Sequence, residues 1–448
     1  ECLVNAIEVS PFDKATAYIA TTRYKFNDHS PGLYKTTDYG ATWTRIDSGL
    51  PEKAFTRVVR EDNVRRDLLF AGTELGVFVS WNGGKAWSPF QLNLPITPIT
   101  DLRVHRGNLI AATSGRAFWI LDDLALIRQY KPDSPAFSVY QPSPAYLANG
   151  GSELDGNDPE AEFTGAHKFR GVNPANGVVL YYQLPELKKT DEITLEIADA
   201  GGKAVGAFSS KKDADLKKWD GGPEPEPVLP KAKGLNRFVW NMRYPTIPGV
   251  PEVYIEASYA GHKTVPGKYR FTLKMGDRAV TTEAEILANP LYPGTPADYE
   301  QYHALMSKME GELTLMHQTV NRLNKTQIQL AALVEALPSG DKYEGVKRDG
   351  EALVKKLKAW DEDMVQRRSK AYDDVENYPN RFTANYFFLV NQTESDLPRV
   401  NQSSLDRLET LSAEWASLKS RSEEMMAKDL PALNQKLWDV GVGAIWKN

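Results

Sequence analysis

TTDYGATW, residues 36–43, and SWNGGKAW, residues 80–87, share one spacing. A hydroxyl residue (Thr36, Ser80) is followed two places on by Asp38 or Asn82, then by Gly40 or Gly84, then by Trp43 or Trp87. A tight turn between two strands needs these parts. An Asp or Asn side chain accepts hydrogen bonds from nearby backbone N–H groups and fixes the turn. Glycine supplies a positive φ that other residues resist. The tryptophan opens the next strand and can lay its indole over the turn. In the second copy, Asn82-Gly83 is itself a strong hairpin signal. The motif is therefore read as structural, and Asp38 and Asn82 as turn residues rather than catalytic ones.

The flanks repeat too. AYIATT (17–22), LLFAGTELGVFVS (68–80) and NLIAATSGRAFWILDD (108–123) each carry a β-branched or aromatic run ending in small residues and Thr. A turn and a second apolar run follow, directly in the last two copies and after the insertion RYKFNDHSP in the first, where the partner run is GLYKTT (32–37). Thr73 and Thr113 lie 40 residues apart, and Asp38 and Asn82 lie 44 apart. A period of about 40–45 residues with some four strands per repeat predicts propeller blades. The third copy ends in Asp122-Asp123 with no following Gly or Trp, and reads as a terminal, degenerate blade.

The pattern (S/T)-x-(D/N)-x-G-x-x-W resembles the Asp box of BNR-repeat propellers, found in sialidases, sortilin-type (VPS10) receptors and xyloglucan-degrading propellers. AGTELGVFVSWNGGKAW, NLPITPITDLRVH and SGRAFWILDDL look like the last blades of large bacterial sortilin-like or "glycosyl hydrolase BNR repeat" proteins. The resemblance covers residues 1–130, and GLNRFVWNMRYP (234–245) and VPGKYRFTL (265–273) look like that family's following β-sandwich. It implies a bacterial protein that is periplasmic, outer-membrane-associated or secreted. About three blades leave unpaired edges and an unburied face. The expectation is that further blades lie in a missing N-terminal part of the same chain or in another chain. ECLVNAIEVS at the start reads as a strand in mid-fold, in keeping with that expectation.

The bulk numbers allow this reading. The 448 residues suit about two to four domains. With 41% hydrophobic and 25% charged residues the composition is that of a globular protein. A net charge of −5 gives no basic balance to draw nucleic acid. Cys2 is the one cysteine, so no internal disulfide and no Cys/His metal spacing is available. No apolar run approaches the ~18 residues of a membrane span.

Beyond 130, residues 131–165 read as a Pro-, Gly- and acid-rich linker. DGNDPE (155–160) offers oxygen ligands for a hard cation but lacks the EF-hand spacing, so no metal is expected there. Residues 166–290 read as an Ig-like β-sandwich; in ITLEI, Ile193, Leu195 and Ile197 share one face. Trp240 and Tyr244 read as packing residues. Residues 296–448 change period. Tyr302, Met309, Met316, Leu323, Leu330 and Leu337 fall seven apart and predict a long amphipathic helix. PSGD (338–341) ends it, a second helix carries Val346 to Met364, and NYPNRF (377–382) ends that. Runs near 383–394 and 402–428, with Ser403 or Ser404 as N-cap, and a short one after Pro431 complete an antiparallel helical bundle.

The search for chemistry gives little. The six histidines form no i, i+4 pair and no HExxH, and no GxSxG, P-loop or GxGxxG is present. No cofactor is expected. Three NxT/S triplets, at Asn324, Asn391 and Asn401, read as chance occurrences. A glycosidase needs two carboxyl groups roughly 5–9.5 Å apart, and sialidase-like sites add arginines for a substrate carboxylate. The ligand-site candidates are Glu74 in GTELG, Asp101 in ITDL and Arg116 in SGRAF. Repeat equivalence sets Glu74 near Arg116 on adjacent blades, as a ligand site or as a ring-closing salt bridge. Two functions follow: a non-catalytic extracytoplasmic scaffold binding a protein, peptide or glycan, or a glycan hydrolase whose carboxylates sit largely in other blades. A third places the working surface on the helices, docking to a membrane-associated complex.

Overall fold

The computed structural model describes residues 1–131, 135–148, 150–156, 171–214 and 216–445. The chain folds as two compact units, Glu1–Ser143 and Pro144–Asn448.

In the first unit, three antiparallel sheets follow one another along the chain. The first runs Leu3–Val9, Ala17–Thr22, Leu33–Thr36, Thr44–Arg45. The second runs Thr56–Glu61, Leu69–Thr73, Gly76–Ser80, Ser88–Pro89. The third has Ile99–His105, Asn108–Thr113 and Phe118–Leu121, after which the helix Ala125–Gln129 follows. Each is an up-and-down meander, the sheet form of a propeller blade.

The sheets pack face on face. Tyr18, Ala20 and Leu33 of the first share a core with Val59, Leu69, Ala71 and Phe78 of the second. Val58, Phe70, Val77 and Val79 on the second sheet's other face meet Ile99, Leu102, Leu109 and Ala111 of the third. The middle sheet is thus covered on both sides, and all residues of Leu69–Thr73 and Gly76–Ser80 are buried. This is why 68–80 reads as a nearly unbroken apolar run rather than an alternating one. Arg60 ties the three first strands together: its guanidinium reaches Glu8 at 3.4 Å, Asp101 at 2.8 Å and the Leu102 carbonyl at 2.8 Å. Arg128 holds the fully buried Asp62 through Nε and Nη2, at 2.8–3.1 Å.

The second unit holds two sheets and a helical region. Val178–Leu184 pairs with Gly234–Trp240. The other sheet is ordered Ala145–Tyr146, Arg278–Leu287, Gly267–Met275, Ile193–Asp199, Ala204–Ser209. Aromatic side chains join them: Trp240 packs edge-on against Tyr269 and Phe271, and Phe238 packs against Phe208. Ile193, Leu195 and Ile197 are buried on one face, as alternation requires.

The helices are Pro296–Glu335, Asp341–Met364, Phe382–Glu394, Gln402–Glu424 and Leu430–Asp439, with a short turn of helix at Asp374–Asn377. The longest starts on a capping box, in which Thr295 and Asp298 each accept the other's backbone N–H. Its heptad residues Tyr302, Met309, Met316, Leu323 and Leu330 are all buried. Two details differ from the sequence reading. The cap of Gln402–Glu424 is Asn401, whose side chain accepts the Ser404 N–H at 2.8 Å; Ser404 is the donor because it already stands inside the first turn. The last helix begins before Pro431, through a π-helical turn Met425–Asp429, and its Trp438 is 70% exposed.

Candidate functional site

The two glycine turns have one hydrogen-bond pattern. Asp38 accepts the Thr36 hydroxyl at 2.7 Å, the Thr42 N–H at 2.9 Å and the Thr42 hydroxyl at 2.6 Å, while Gly40 N–H donates to Thr36 Oγ1 at 2.9 Å. Asn82 accepts the Ser80 hydroxyl at 2.9 Å and the Ala86 N–H at 3.0 Å, and Gly84 N–H donates to Ser80 Oγ at 3.0 Å. Bonds from Thr42, then Thr36, pull the Asp38 carboxyl down to about 2. Gly40 and Gly84 both have φ +89°. Trp43 lies over Gly40 and is 40% exposed, whereas Trp87 is 4% exposed and donates its indole N–H to the Ile46 carbonyl.

Glu74, Asp101 and Arg116 are not joined to one another. Glu74 is held by Arg57 at 2.7 and 2.9 Å. Thr56 pairs with Thr73 across the antiparallel ladder, so Arg57 and Glu74 are neighbours within one sheet. That proximity gives the carboxylate a partner closer than the adjacent blade. Asp101 is held by Arg60 and accepts the Leu102 N–H at 2.8 Å. Arg116 is exposed in the turn before Phe118, with its N–H bonded to Thr113 Oγ1 and its carbonyl accepting from Trp119 Nε1. Of DGNDPE, residues 157–160 lie outside the described residues; Asp155 accepts N–H groups of Ser152 and Asn176. Among the described residues no group of three or more His, Cys, Asp or Glu is placed to hold a metal ion, and no helix is long and apolar enough to cross a membrane.

Two outward sheet faces of the first unit carry exposed apolar side chains, beside Arg45 on one and Arg103 on the other. On the first sheet Ile7 lies across from Ile19, and Ile19 across from Tyr34, so the three share one face. Glu8, which reaches Arg60, points to the opposite face. Ile7 is 66% and Val9 63% exposed. On the third sheet Ile110 lies across from Ile120 and Ala112 across from Phe118. Phe118 is 77% and Ile120 57% exposed.

A polar cluster in the second unit has no counterpart in the sequence reading. Glu310 accepts the backbone N–H of His262 at 2.7 Å and contacts its Nδ1 at 2.8 Å. His262 Nε2 meets His303 Nδ1 at 2.9 Å. Tyr244 stacks on both rings, with centroids 4.4 and 5.1 Å away. Burial, then the neighbouring His262, lowers the His303 pKa from its ordinary value. The cluster was illegible because His262 and His303 stand 41 residues apart on a loop and a helix, with no local spacing to connect them.

No family model matches the chain, and no curated protein is similar to it in sequence. Among solved structures, YCF48 bound to D1 peptide is 16% identical, with a TM-score of 0.21 and coverage of 27% of this chain and 36% of that one. A GH74 enzyme from Niastella koreensis is 13% identical, with a TM-score of 0.23 and coverage of 63% and 46%. The extracellular domain of a one-component system from B. thetaiotaomicron is 11% identical, with a TM-score of 0.20 and coverage of 64% and 31%. The chain spans less than half the length of each of these structures. At these scores the likenesses are slight.

Proposed function

We propose that the chain is a non-catalytic interaction protein working outside the cytoplasm, and that Glu1–Ser143 is a segment of a larger propeller that binds a protein, peptide or glycan. The observation that carries this reading is the inequality of the sheet faces. The middle sheet is covered on both sides, while Ile7 and Val9 on one outward face and Phe118 and Ile120 on the other stand 57–77% exposed. Apolar surface left in water is unfavourable by roughly 25 cal/mol per Å², and contiguous patches of it mark interaction surfaces.

The stacking inside the unit supports a particular kind of partner. The Ile7–Ile19 row is the counterpart of the Val59–Ala71 row on the middle sheet, which receives Tyr18, Ala20 and Leu33. The Ile110–Ile120 row is the counterpart of Phe70–Val79, which receives Leu102 and Leu109. Each outward face is thus of a kind that accepts another blade. In this reading those blades come from polypeptide outside residues 1–448 or from a second protein. Glu74 and Asp101 support the binding role over the hydrolytic one, because each carboxylate is already neutralised by an arginine.

The test is native mass spectrometry of the assembly that holds this chain, with Ile7→Asp and Phe118→Asp variants beside the wild type. Either variant should release or loosen the blades that cover its face while the chain itself stays folded. A wild-type assembly in which Ile7 and Phe118 both remain open to hydroxyl-radical labelling would sink the reading.

A further inference from the structure

Three of the six histidines lie along one seam of the second unit. The seam joins the irregular segment 241–265, which links strand Gly234–Trp240 to strand Gly267–Met275, to the long helix Pro296–Glu335. The segment's apolar residues Ile247, Val250, Val253, Ile255 and Tyr259 share one core with Tyr302, Met306, Met309 and Met316 of the helix. Asn321 donates to the segment's Gly249 carbonyl at 3.4 Å and Asn391 bonds Ser258 both ways at 2.8 and 2.9 Å, while two further polar attachments run through histidine. One is the Glu310–His262–His303 chain. The other is His317, fully buried, whose Nδ1 meets the Pro248 carbonyl at 2.7 Å and whose Nε2 has no hydrogen-bond partner among the described residues.

The proton positions follow from the contacts. Glu310 as a carboxylate accepts from His262 N and from Nδ1–H. The 2.9 Å contact between His262 Nε2 and His303 Nδ1 holds one proton, donated by one ring and accepted by the other. The ring centroids are 5.2 Å apart, so the two nitrogens point at each other rather than at a shared third point. One added proton is compatible with this bond. Two are not: both imidazolium rings would then aim an N–H at the other, and two cations would face each other at a place where His262 is 1% exposed.

The surrounding charges are mixed. Lys203 and Asp199 face His303 from the neighbouring hairpin, and Ser307 Oγ lies 3.4 Å from its Nδ1. Arg243 of the segment is paired with Glu394 at 3.1 Å, and Lys263, next to His262, donates to the Ala148 carbonyl. Tyr302 packs edge-on against His262. His317 faces Tyr259 and Phe387.

We propose that this seam is an acid-released latch: on acidification the segment 241–265 lets go of helix Pro296–Glu335 and uncovers the apolar helix face beneath it. The direction follows from linkage. The closed seam lowers the basicity of both rings: burial, then the neighbouring His262, lowers His303, and burial pushes His317 down to about 4. Opening restores ordinary basicity, so the open form binds more protons, and falling pH favours it. The closed form is fully favoured above the ordinary histidine value, roughly 6.5. A bistable segment biased by buried histidines is a known way to build such a response.

Hydrogen–deuterium exchange of the full chain at about pH 7.5 and pH 5, corrected for intrinsic rates, tests this. The expected result is at least about a tenfold loss of protection at pH 5 in 241–265 and in the facing helix turns, with the strands 69–80 unchanged. A His303→Asn, His317→Asn double variant, which keeps side-chain donors but cannot titrate, should lose that response. Equal protection at both pH values, a loss spread evenly over the chain, or a double variant that still responds would each overturn the latch. If the double variant does not fold, the wild-type maps decide alone, because a local loss is expected and an absent or uniform one refutes it.

Discussion

Trp43 and Trp87 hold the same place in two copies of one turn, yet Trp87 is 4% exposed and Trp43 is 40% exposed. The difference comes from what lies before each turn. Trp87 is received by the preceding sheet: its N–H groups reach the carbonyls of Ile46 and Ser48, and its backbone passes close to Gly49. Trp87→Ala should therefore destabilise the first unit by about 3–5 kcal/mol, the range for a buried aromatic. Trp43→Ala should shift it by about 1 kcal/mol or less. Denaturant midpoints of the two variants check the ordering. In an assembly with a blade seated before the first sheet, the Trp43→Ala effect should grow toward that of Trp87→Ala.

The two turn glycines should separate conformational strain from steric strain. Both have φ +89°, so alanine at either position is strained by about 1–2 kcal/mol. At Gly84 a Cβ would also stand 2.7 Å from Ile46 Cδ1, inside a packed core. At Gly40 its nearest neighbour would be Trp43, at 3.8 Å. Gly84→Ala should be the costlier change by a further 1–3 kcal/mol or so. Equal midpoints for the two variants would show that Ile46 moves aside freely.

How much of this was legible in the sequence varies with range. The hairpins were, because each turn carries its own residues, and the long helix was, because Tyr302 to Leu330 repeat at seven and every one is buried. The N-cap was misplaced by a few residues because Asn401, Ser403 and Ser404 all have capping chemistry, and only the backbone decides which one stands outside the first turn. The Glu74 partner was misjudged because repeat spacing speaks of adjacent sheets while ladder register, Thr56 opposite Thr73, sets the nearer neighbour. The Glu310–His262–His303 chain was out of reach: its contacts span 41 and 48 residues and leave no periodic trace.

The pair Asp62–Arg128 offers a test of how the third sheet's helix is fastened. Asp62 is fully buried and accepts the N–H groups of Val64 and Arg65 and those of Arg128 Nε and Nη2. Removing one partner leaves the other charged and desolvated, which is the expensive case. Asp62→Ala should lower stability by about 3–5 kcal/mol. Arg128→Ala should be costly as well, and the double variant should be less destabilised than the sum of the two. A double-mutant cycle read from urea midpoints gives the coupling directly. Additive effects would mean that the turn bonds to Val64 and Arg65, rather than the ion pair, hold this corner.

His317 makes the stability of the second unit depend on pH in a stated direction. Burial lowers its pKa to about 4 in the folded chain, against an ordinary histidine value near 6.5 in the unfolded one. Between those values the unfolded chain binds the extra proton, so stability rises with pH across that window and is lost as pH falls through it. The difference corresponds to a loss on the order of 3 kcal/mol on going from neutral pH to about pH 4. His317→Gln keeps a donor for the Pro248 carbonyl and removes the titration. Its unfolding free energy should be lower than that of the wild type at neutral pH and should flatten below about pH 6. Equilibrium unfolding of both proteins at a series of pH values, followed by a signal from the helices, decides it. Parallel curves would show that His317 titrates alike in the folded and unfolded chain and that the acid dependence of this unit belongs to other groups.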